Sequence, residues 1–422
     1  MREPIALIGQ TNFRNKRIPF GIMQRDRLYH MLLVGKTGSG KSTVLAQMMN
    51  SDLKNGVGFA LLDAHGDLAE QVLGLVPEER IKDVVYINPA EPEFSPPVNL
   101  LDGGQRYLVI SQFLSIFQHL WPEFWGPRTE YLLRNALLTL AETFPGASLA
   151  EVPKLLTDFG FREFLVRRLP LGDLRSFWES EFAQYSKYFR NEAVSPILNK
   201  LGAVTLNPMI RPILCRRERD LDFRKLMDRG GILIANLAKG TIGEDASALL
   251  GSVLLSKLIL VGLSRSDVPE SQRRFFGIYA DEAQQFLTDS GVNLFAELRK
   301  FRVAGTWSAQ YLAALPEKLR EGILGNVGSQ IVFALSGEDA EVLTQEFAPV
   351  VQMGDFVSVP IHHFYSRLKI DGVTSRPFSG KTMPLDFIPN PHAAKQNLRH
   401  FRNREPNQHV ASETGRPQDS LF

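Results

Sequence analysis

The chain has a single cysteine, Cys215, among 422 residues. That excludes an internal disulfide and any multi-cysteine zinc site, and makes a reducing cytoplasm the natural setting. Neither sign of charge is in excess. The 48 basic and 46 acidic residues give a formal net charge of +2, which by itself names no partner. Histidine is scarce, with eight in all, and none forms a helical H-x-x-x-H pair; His362 and His363 read as a strand-edge pair rather than as metal ligands. The start, Met1-Arg2-Glu3-Pro4, lacks the apolar core of a signal peptide. Long apolar runs are also few. Residues 246–263 are the one stretch tempting as a membrane span. It contains Lys257 with several serines and glycines and is followed by Arg265-Ser266-Asp267, so a helix buried against a sheet explains it better. No internal repeat is apparent.

What is present is the composition of an ordinary globular protein, 44% hydrophobic and 22% charged, in a chain longer than one typical core. Its most informative stretch is Gly35-Lys36-Thr37-Gly38-Ser39-Gly40-Lys41-Ser42, followed by Thr43. Every specified position of the phosphate loop G-x-x-x-x-G-K-[ST] is filled. Met31-Leu32-Leu33-Val34 before it reads as a buried strand, and Thr43 to Asn50 after it as a helix. Glycines let the backbone wrap an anion, so that its N–H groups and the helix N-terminus face phosphate. Lys41 then reaches the β- and γ-phosphates of a nucleoside triphosphate, and the Ser42 hydroxyl takes one Mg²⁺ position.

Further strands are expected at 58–63, 84–87, 231–236, 275–280, 303–307 and 330–335, after a hairpin-like start over residues 1–30. Asp67 is placed to cap a helix from Leu68 to Leu75. The strand–helix alternation predicts a parallel sheet with helices on both faces. From about 104 to 225 the apolar spacing turns to three and four, which predicts an all-helical insertion. The expected division is therefore 1–103 and 226–389 for the two parts of a nucleotide-binding domain, 104–225 for the inserted all-α domain, and 390–422 for a disordered tail. Trp121, Trp125 and Trp178 read as core of the helical part. Arg162, Arg167, Arg168, Arg216, Arg217 and Arg219 could contact phosphates or form a solvated helix face; the basic run from Lys395 to Arg404 could grip DNA, bind an anionic membrane or a partner, or do nothing specific.

A phosphate loop needs a second acid, and Phe275–Ala280 runs into Asp281-Glu282. Asp281 at a strand end can order Mg²⁺ waters, and Glu282 can orient and polarise the attacking water. Gln310, at the end of the following strand, can sense the γ-phosphate through its amide. On pattern alone Arg299, eleven residues upstream of it, is a surface arginine at the end of a helix over 294–301.

These residues carry a resemblance. Arg27 to His30 leading into the phosphate loop, Leu62-Asp63-Ala64-His65-Gly66-Asp67-Leu68, Trp125-Gly126-Pro127-Arg128 and Asn236-Leu237 with Lys239-Gly240 come in order. Gly243, Gly251, Asp281-Glu282, Ser308-Ala309-Gln310, Gly325 to Gly328 and Glu338-Asp339-Ala340 follow. From Pro19 to Pro384 the set resembles the type IV secretion coupling-protein family, the conjugative DNA-transfer ATPases, which themselves resemble HerA and FtsK motors. The resemblance implies a RecA-like P-loop ATPase core that uses ATP and Mg²⁺, forms a hexameric homo-oligomer and binds DNA without sequence preference. It also implies relaxase or secretion-channel partners, and an arginine finger at Arg299 directed at the ATP of a neighbouring subunit. Gln310 falls at the family's phosphate-sensing glutamine. The chain departs at Asp63-Ala64-His65-Gly66-Asp67, where the family often has Asp-Pro-Lys-Gly-Asp, so His65 inherits no role. No amino-terminal anchor of the kind usual in the family is expected from residues 1–30, which leaves peripheral attachment at the inner face of the membrane open. The readings in play are a conjugative DNA motor, a HerA-like translocase in DNA processing, and a nucleotide-gated adaptor that recruits cargo.

Overall fold

The structure, a computed structural model, describes residues 3–385 except 13, 15, 100, 102–105, 217–220 and 314, together with Asn397. Among the described residues there are thirteen strands: β1 (Ile5–Thr11), β2 (Pro19–Met23), β3 (Met31–Val34), β4 (Gly58–Asp63), β5 (Val84–Ile87), β6 (Ile232–Asn236), β7 (Phe276–Asp281), β8 (Val303–Ala309), β9 (Ser329–Val332), β10 (His363–Arg367), β11 (Lys369–Ile370), β12 (Val373–Thr374) and β13 (Phe378–Lys381). Eleven of them form one sheet in the order β2-β1-β13-β10-β9-β3-β8-β7-β4-β6-β5. The run from β9 to β5 is parallel throughout. From β9 outward through β10, β13, β1 and β2 the pairing is antiparallel. The chain is thus the mostly parallel α/β protein that the strand–helix alternation predicts.

Every residue of β3, β4, β5, β6, β7, β8 and β9 is buried, the mark of a sheet covered on both faces. Successive side chains point to opposite faces, and the sheet accordingly separates two cores. Met31, Leu33, Phe59 and Leu61 pack with Val44, Leu45, Met48 and Leu68 on one face, beneath the helices Lys41–Lys54 and Asp67–Leu73. Leu32, Val34, Ala60 and Leu62 face the other side. There the helix Glu244–Ser264 crosses the sheet, and 89% of its apolar window is buried inside the protein. Its apolar surface is satisfied by protein rather than lipid, as its lysine and serines suggest.

Between β5 and β6 the described residues contain helices and turns but no strand. Phe113, Phe117, Leu133, Leu137, Trp178 and Phe182 of this segment belong to the same continuous core as the second sheet face. Trp121 and Trp178 are buried, and the Trp178 indole donates to Thr139 Oγ1 at 2.7 Å. The expectation of a disordered tail falls on residues that, Asn397 apart, lie outside those described.

Register levels the strand ends. Val34 lies opposite Ala309, Asp63 opposite Asp281, and Asp63 also opposite Asn236. The carboxyl ends of β3, β8, β7, β4 and β6 therefore share one edge of the sheet. In open parallel sheets that edge is where ligands bind.

Candidate active site

At the carboxyl edge β3 delivers the phosphate loop. Gly38 and Gly40 have φ of 73° and 120°, conformations that side-chain-bearing residues rarely adopt. At Gly35 an added Cβ would lie 2.5 Å from Cβ of Phe333, so this turn has no room for a side chain. The following helix opens directly with Lys41. Lys41 is buried, and its ammonium donates to the Gly35 and Lys36 carbonyls. Burial pulls its pKa below the usual lysine range, opposed by the nearby Glu282 and Asp281 carboxylates.

Asp281 ends β7, and β8 separates β7 from β3. The Ser42 hydroxyl spans that gap, donating to Asp281 Oδ2 at 3.3 Å. A hydroxyl and a carboxylate at this separation form an oxygen donor set suited to a divalent cation that keeps several waters. Glu282 turns away in a left-handed conformation, φ 53° and ψ 48°, a strained state for a residue with a Cβ and one that tends to occur at functional sites. Its N–H donates to Asp281 Oδ1 at 3.2 Å. Its carboxylate accepts from the Gln284 amide and lies 3.8 Å from His65 Nε2.

Gln310 follows β8 directly, and its amide donates to Thr37 Oγ1 of the phosphate loop at 2.6 Å and to Tyr311 Oη at 2.8 Å. The strand-end glutamine and the loop, far apart in sequence, are joined in space. Asp339 steadies the next two residues by accepting the N–H groups of Leu312 and Ala313 at 2.8 and 2.7 Å.

Arg299 is elsewhere. The helix expected over 294–301 runs from Asp289 to Leu298, with Thr288 as its cap, and Arg299 stands in the 3-10 turn Arg299–Phe301 before β8. It is therefore at the amino edge of a seven-residue strand, on the order of 20 Å from the phosphate loop at 3.3 Å per residue. Its guanidinium carbon sits 3.7 Å from the centroid of the Tyr29 ring, and Tyr29 lies just before β3 at that same edge.

Asp67 does not cap the helix after β4. The N-cap is Gly66, at φ 95°, and Asp67 is the first helical residue with no capping bond. The carboxylate of Asp63 takes over, accepting the N–H groups of His65 and Ala69 at 2.9 and 2.8 Å. Burial raises the Asp63 pKa and these bonds oppose it.

Several contacts near the site could not be read from the sequence, although Arg27 belongs to the pieces that carry the family resemblance. The His362 N–H donates to the Ser39 carbonyl at 2.9 Å, and the ring and Thr382 back Gly40. Beneath the site, buried Arg27 binds Asp52 through two bonds of 2.7 and 3.0 Å and the Tyr279 hydroxyl at 2.6 Å. Burial penalises the Arg27 charge, and Asp52 with Tyr279 outweighs that penalty. Of the proposed basic patch, Arg162 is buried, binding the Leu155 and Leu156 carbonyls. Arg167 pairs with Glu163, Arg168 stacks on Phe164 and Arg216 binds the Pro92 carbonyl. Arg217, Arg219 and the run from Lys395 to Arg404, Asn397 apart, lie outside the described residues.

With this geometry in hand, residues 8–257 match the family model described as "Helicase HerA, central domain". The chain belongs to the HerA central-domain family. That span covers the phosphate loop and the helical segment but stops before Asp281, Glu282, Arg299 and Gln310. Among solved structures, this HerA-family chain is similar to the bacterial conjugative coupling protein TrwB lacking its first 70 residues. The two share 15% identity at a TM-score of 0.63, with 90% of each chain covered. TrwB in complex with ADP and Mg²⁺ is similar at 15% identity and TM-score 0.62, covering 91% of this chain and 92% of that one. VirB4 of Thermoanaerobacter pseudethanolicus is similar at 12% identity and TM-score 0.61, with 90% and 96% covered. At such identities the likeness is one of fold. No curated protein matches the sequence.

Proposed function

We propose that this HerA-family chain is an ATP-hydrolysing, ring-forming DNA motor that couples hydrolysis to DNA transfer in conjugation or type IV secretion. One arrangement carries the reading. A complete phosphate loop faces Asp281 and Glu282 at one edge of the sheet, and an exposed arginine with no partner carboxylate among the described residues stands at the other.

In this reading Gly35, Lys36, Thr37, Gly38, Ser39, Gly40 and Thr43 wrap the phosphates of ATP, and Lys41 moves from the loop carbonyls to the β- and γ-phosphates. Ser42 would hold Mg²⁺ directly and Asp281 would order its waters, and the ion would supply positive charge against the negative charge on the phosphates. Glu282 must leave Gln284 and His65 to orient and polarise the attacking water. Gln310, already on Thr37, reports γ-phosphate loss to β8. Arg299 cannot reach its own loop across the sheet, so it serves the ATP of an adjoining copy. The likeness to TrwB, a conjugative coupling protein solved in complex with ADP and Mg²⁺, supports the transfer reading. The HerA family match favours a second, a translocase working in DNA processing.

The test is the ATPase rate against protein concentration, with and without single- and double-stranded DNA. A motor shows a rate per subunit that rises with concentration and with DNA. A rate indifferent to both DNA forms points to the nucleotide-gated adaptor, and one indifferent to concentration removes the ring. Lys41→Ala should abolish hydrolysis while leaving the fold, read by circular dichroism, intact. Persisting activity would place the active site elsewhere.

A further inference from the structure

We infer that Tyr29 is the positioning residue for Arg299, holding its guanidinium by stacking alone so that its N–H donors stay free for phosphate bound to a second copy of this chain. The inference rests on the trans reading of Arg299 given above.

Both halves of the contact are fixed from behind. The turn that carries Arg299 is pinned by two other arginines: Arg265 donates to the Phe301 carbonyl at 3.0 Å and Arg273 to the Lys300 carbonyl. Arg265 is itself buried and paired with Asp228 at 3.0 Å. The turn closes with Arg302 in the left-handed conformation, φ 58°, its N–H donating to the Arg299 carbonyl at 3.0 Å.

The segment that carries Tyr29 is held as firmly. Gly328 donates to the Tyr29 carbonyl at 2.6 Å, and an added Cβ there would lie 2.6 Å from Tyr29 Cβ. The next residue, His30, is buried at φ 61° with both ring nitrogens engaged. Nδ1 accepts the Gly305 N–H of β8 at 2.9 Å, and Nε2 pairs at 2.8 Å with the Phe295 carbonyl, in the helix that leads into Arg299. Since Nδ1 accepts, Nε2 carries the proton and donates. His30 thereby ties the base of Tyr29 to both elements that flank Arg299.

Between the two side chains themselves, the link among the described residues is the ring. Among the described residues the Arg299 side chain forms no hydrogen bond or ion pair; its contact is the stack at 3.7 Å. Neighbouring cations are treated otherwise. Arg25 pairs with Glu3 and Asp371, and Lys300 with Glu297. A carboxylate on Arg299 would compete with phosphate for the same planar fork of donors, whereas a π-face holds the cation and leaves that fork open. Lys369 Nζ also lies over the Tyr29 ring, 4.8 Å from its centroid, adding positive charge where an anion is to arrive. The contact opens onto a cleft of about 600 Å³ whose lining includes Arg25, Asp26, Tyr29, Glu270, Arg299 and Lys300.

The experiment uses the full chain with Tyr29→Leu, Tyr29→Phe and Arg299→Ala, reading kcat, KM and the affinity for a fluorescent ATP analogue. Tyr29→Leu is expected to lower kcat about two- to fivefold, the range of an exposed cation–π contact, with nucleotide affinity unchanged. Tyr29→Phe should restore kcat. Mixing Tyr29→Leu with Glu282→Gln should regain the wild-type rate at interfaces that pair an intact tyrosine with an intact glutamate. Wild-type kcat in Tyr29→Leu beside an impaired Arg299→Ala would overturn the inference and spare the trans reading. So would a loss that Phe fails to repair or that mixing fails to relieve. Wild-type kcat in Arg299→Ala would remove the trans reading itself. Should Tyr29→Leu not melt cooperatively, Tyr29→Met, which fills similar volume without a π-face, carries the same expectation.

Discussion

The two edges of the sheet use polar side chains in opposite ways. At the carboxyl edge the groups bind one another within the chain: Ser42 to Asp281, Gln310 to Thr37, Glu282 to Gln284, and Lys41 to its own loop. At the amino edge Arg299 rests on an aromatic face with its donors unused by the described residues. A self-satisfied cluster has what it needs to bind a ligand in the same chain by exchanging internal partners. A stacked arginine suits a ligand that arrives on another molecule.

That contrast can be broken by experiment. The largest effect should come from Glu282→Gln, on the order of a thousandfold in turnover for loss of a general base, with ATP still bound because Ser42 and Asp281 remain. Titrating this variant into wild-type protein should lower the rate in proportion to its share, because an interface that keeps its own glutamate and arginine still turns over. A turnover within about twofold of wild type would remove Glu282 from its role and erase the distinction between the edges.

Next in size is a stability effect below the site. Asp52→Ala leaves the buried Arg27 charge with the Tyr279 hydroxyl and the Phe275 ring but no carboxylate, and should cost about 3–5 kcal/mol in a denaturant titration. A loss below about 1 kcal/mol would mean that water reaches Arg27 and that the network is not what joins the phosphate-loop helix to β7.

The smallest effect sharpens the amino edge. Burial pushes the His30 pKa down to about 4, against the raising influence of its bond to Phe295, with the Arg299 charge lowering it further. The unfolded chain then takes up a proton near pH 6.5 that the native chain refuses. Stability from neutral His30 is thus complete above pH 6.5 and falls as pH drops toward 4, by about 2 kcal/mol between pH 7 and pH 5. His30→Gln should flatten that slope while lowering stability at pH 7. An unchanged slope would mean that His30 is not the buried neutral group that ties Tyr29 to β8.

Local patterns carried much of this protein. The phosphate loop was readable because eight consecutive residues must meet backbone demands that few sequences satisfy, and β4 and β5 because continuous apolar runs end at turn residues. The acid pair was readable from its place at a strand end. Arg299 was not, on pattern alone, since an exposed arginine after a helix has no local mark; only the family resemblance singled it out. Asp67 misled for a related reason. An acid before a helix looks like a cap, yet the left-handed Gly66 had the cap position, and the more distant Asp63 supplied the bonds.

The sequence by itself determined where the phosphate loop, the acid pair and the strand segments lie, because apolar runs and glycine turns are written in neighbouring residues of the chain. The tertiary structure decided which distant groups meet: His65 beside Glu282, Asp339 under Leu312, Arg27 with Asp52 and Tyr279, and Tyr29 beneath Arg299. It also decided that Arg299 faces away from its own loop. Strand order and direction set these encounters, since inserting β8 between β3 and β7, all parallel, puts every strand end of one kind on one edge. No spacing along the chain encodes that order, because it arises from how the whole sheet buries its two faces.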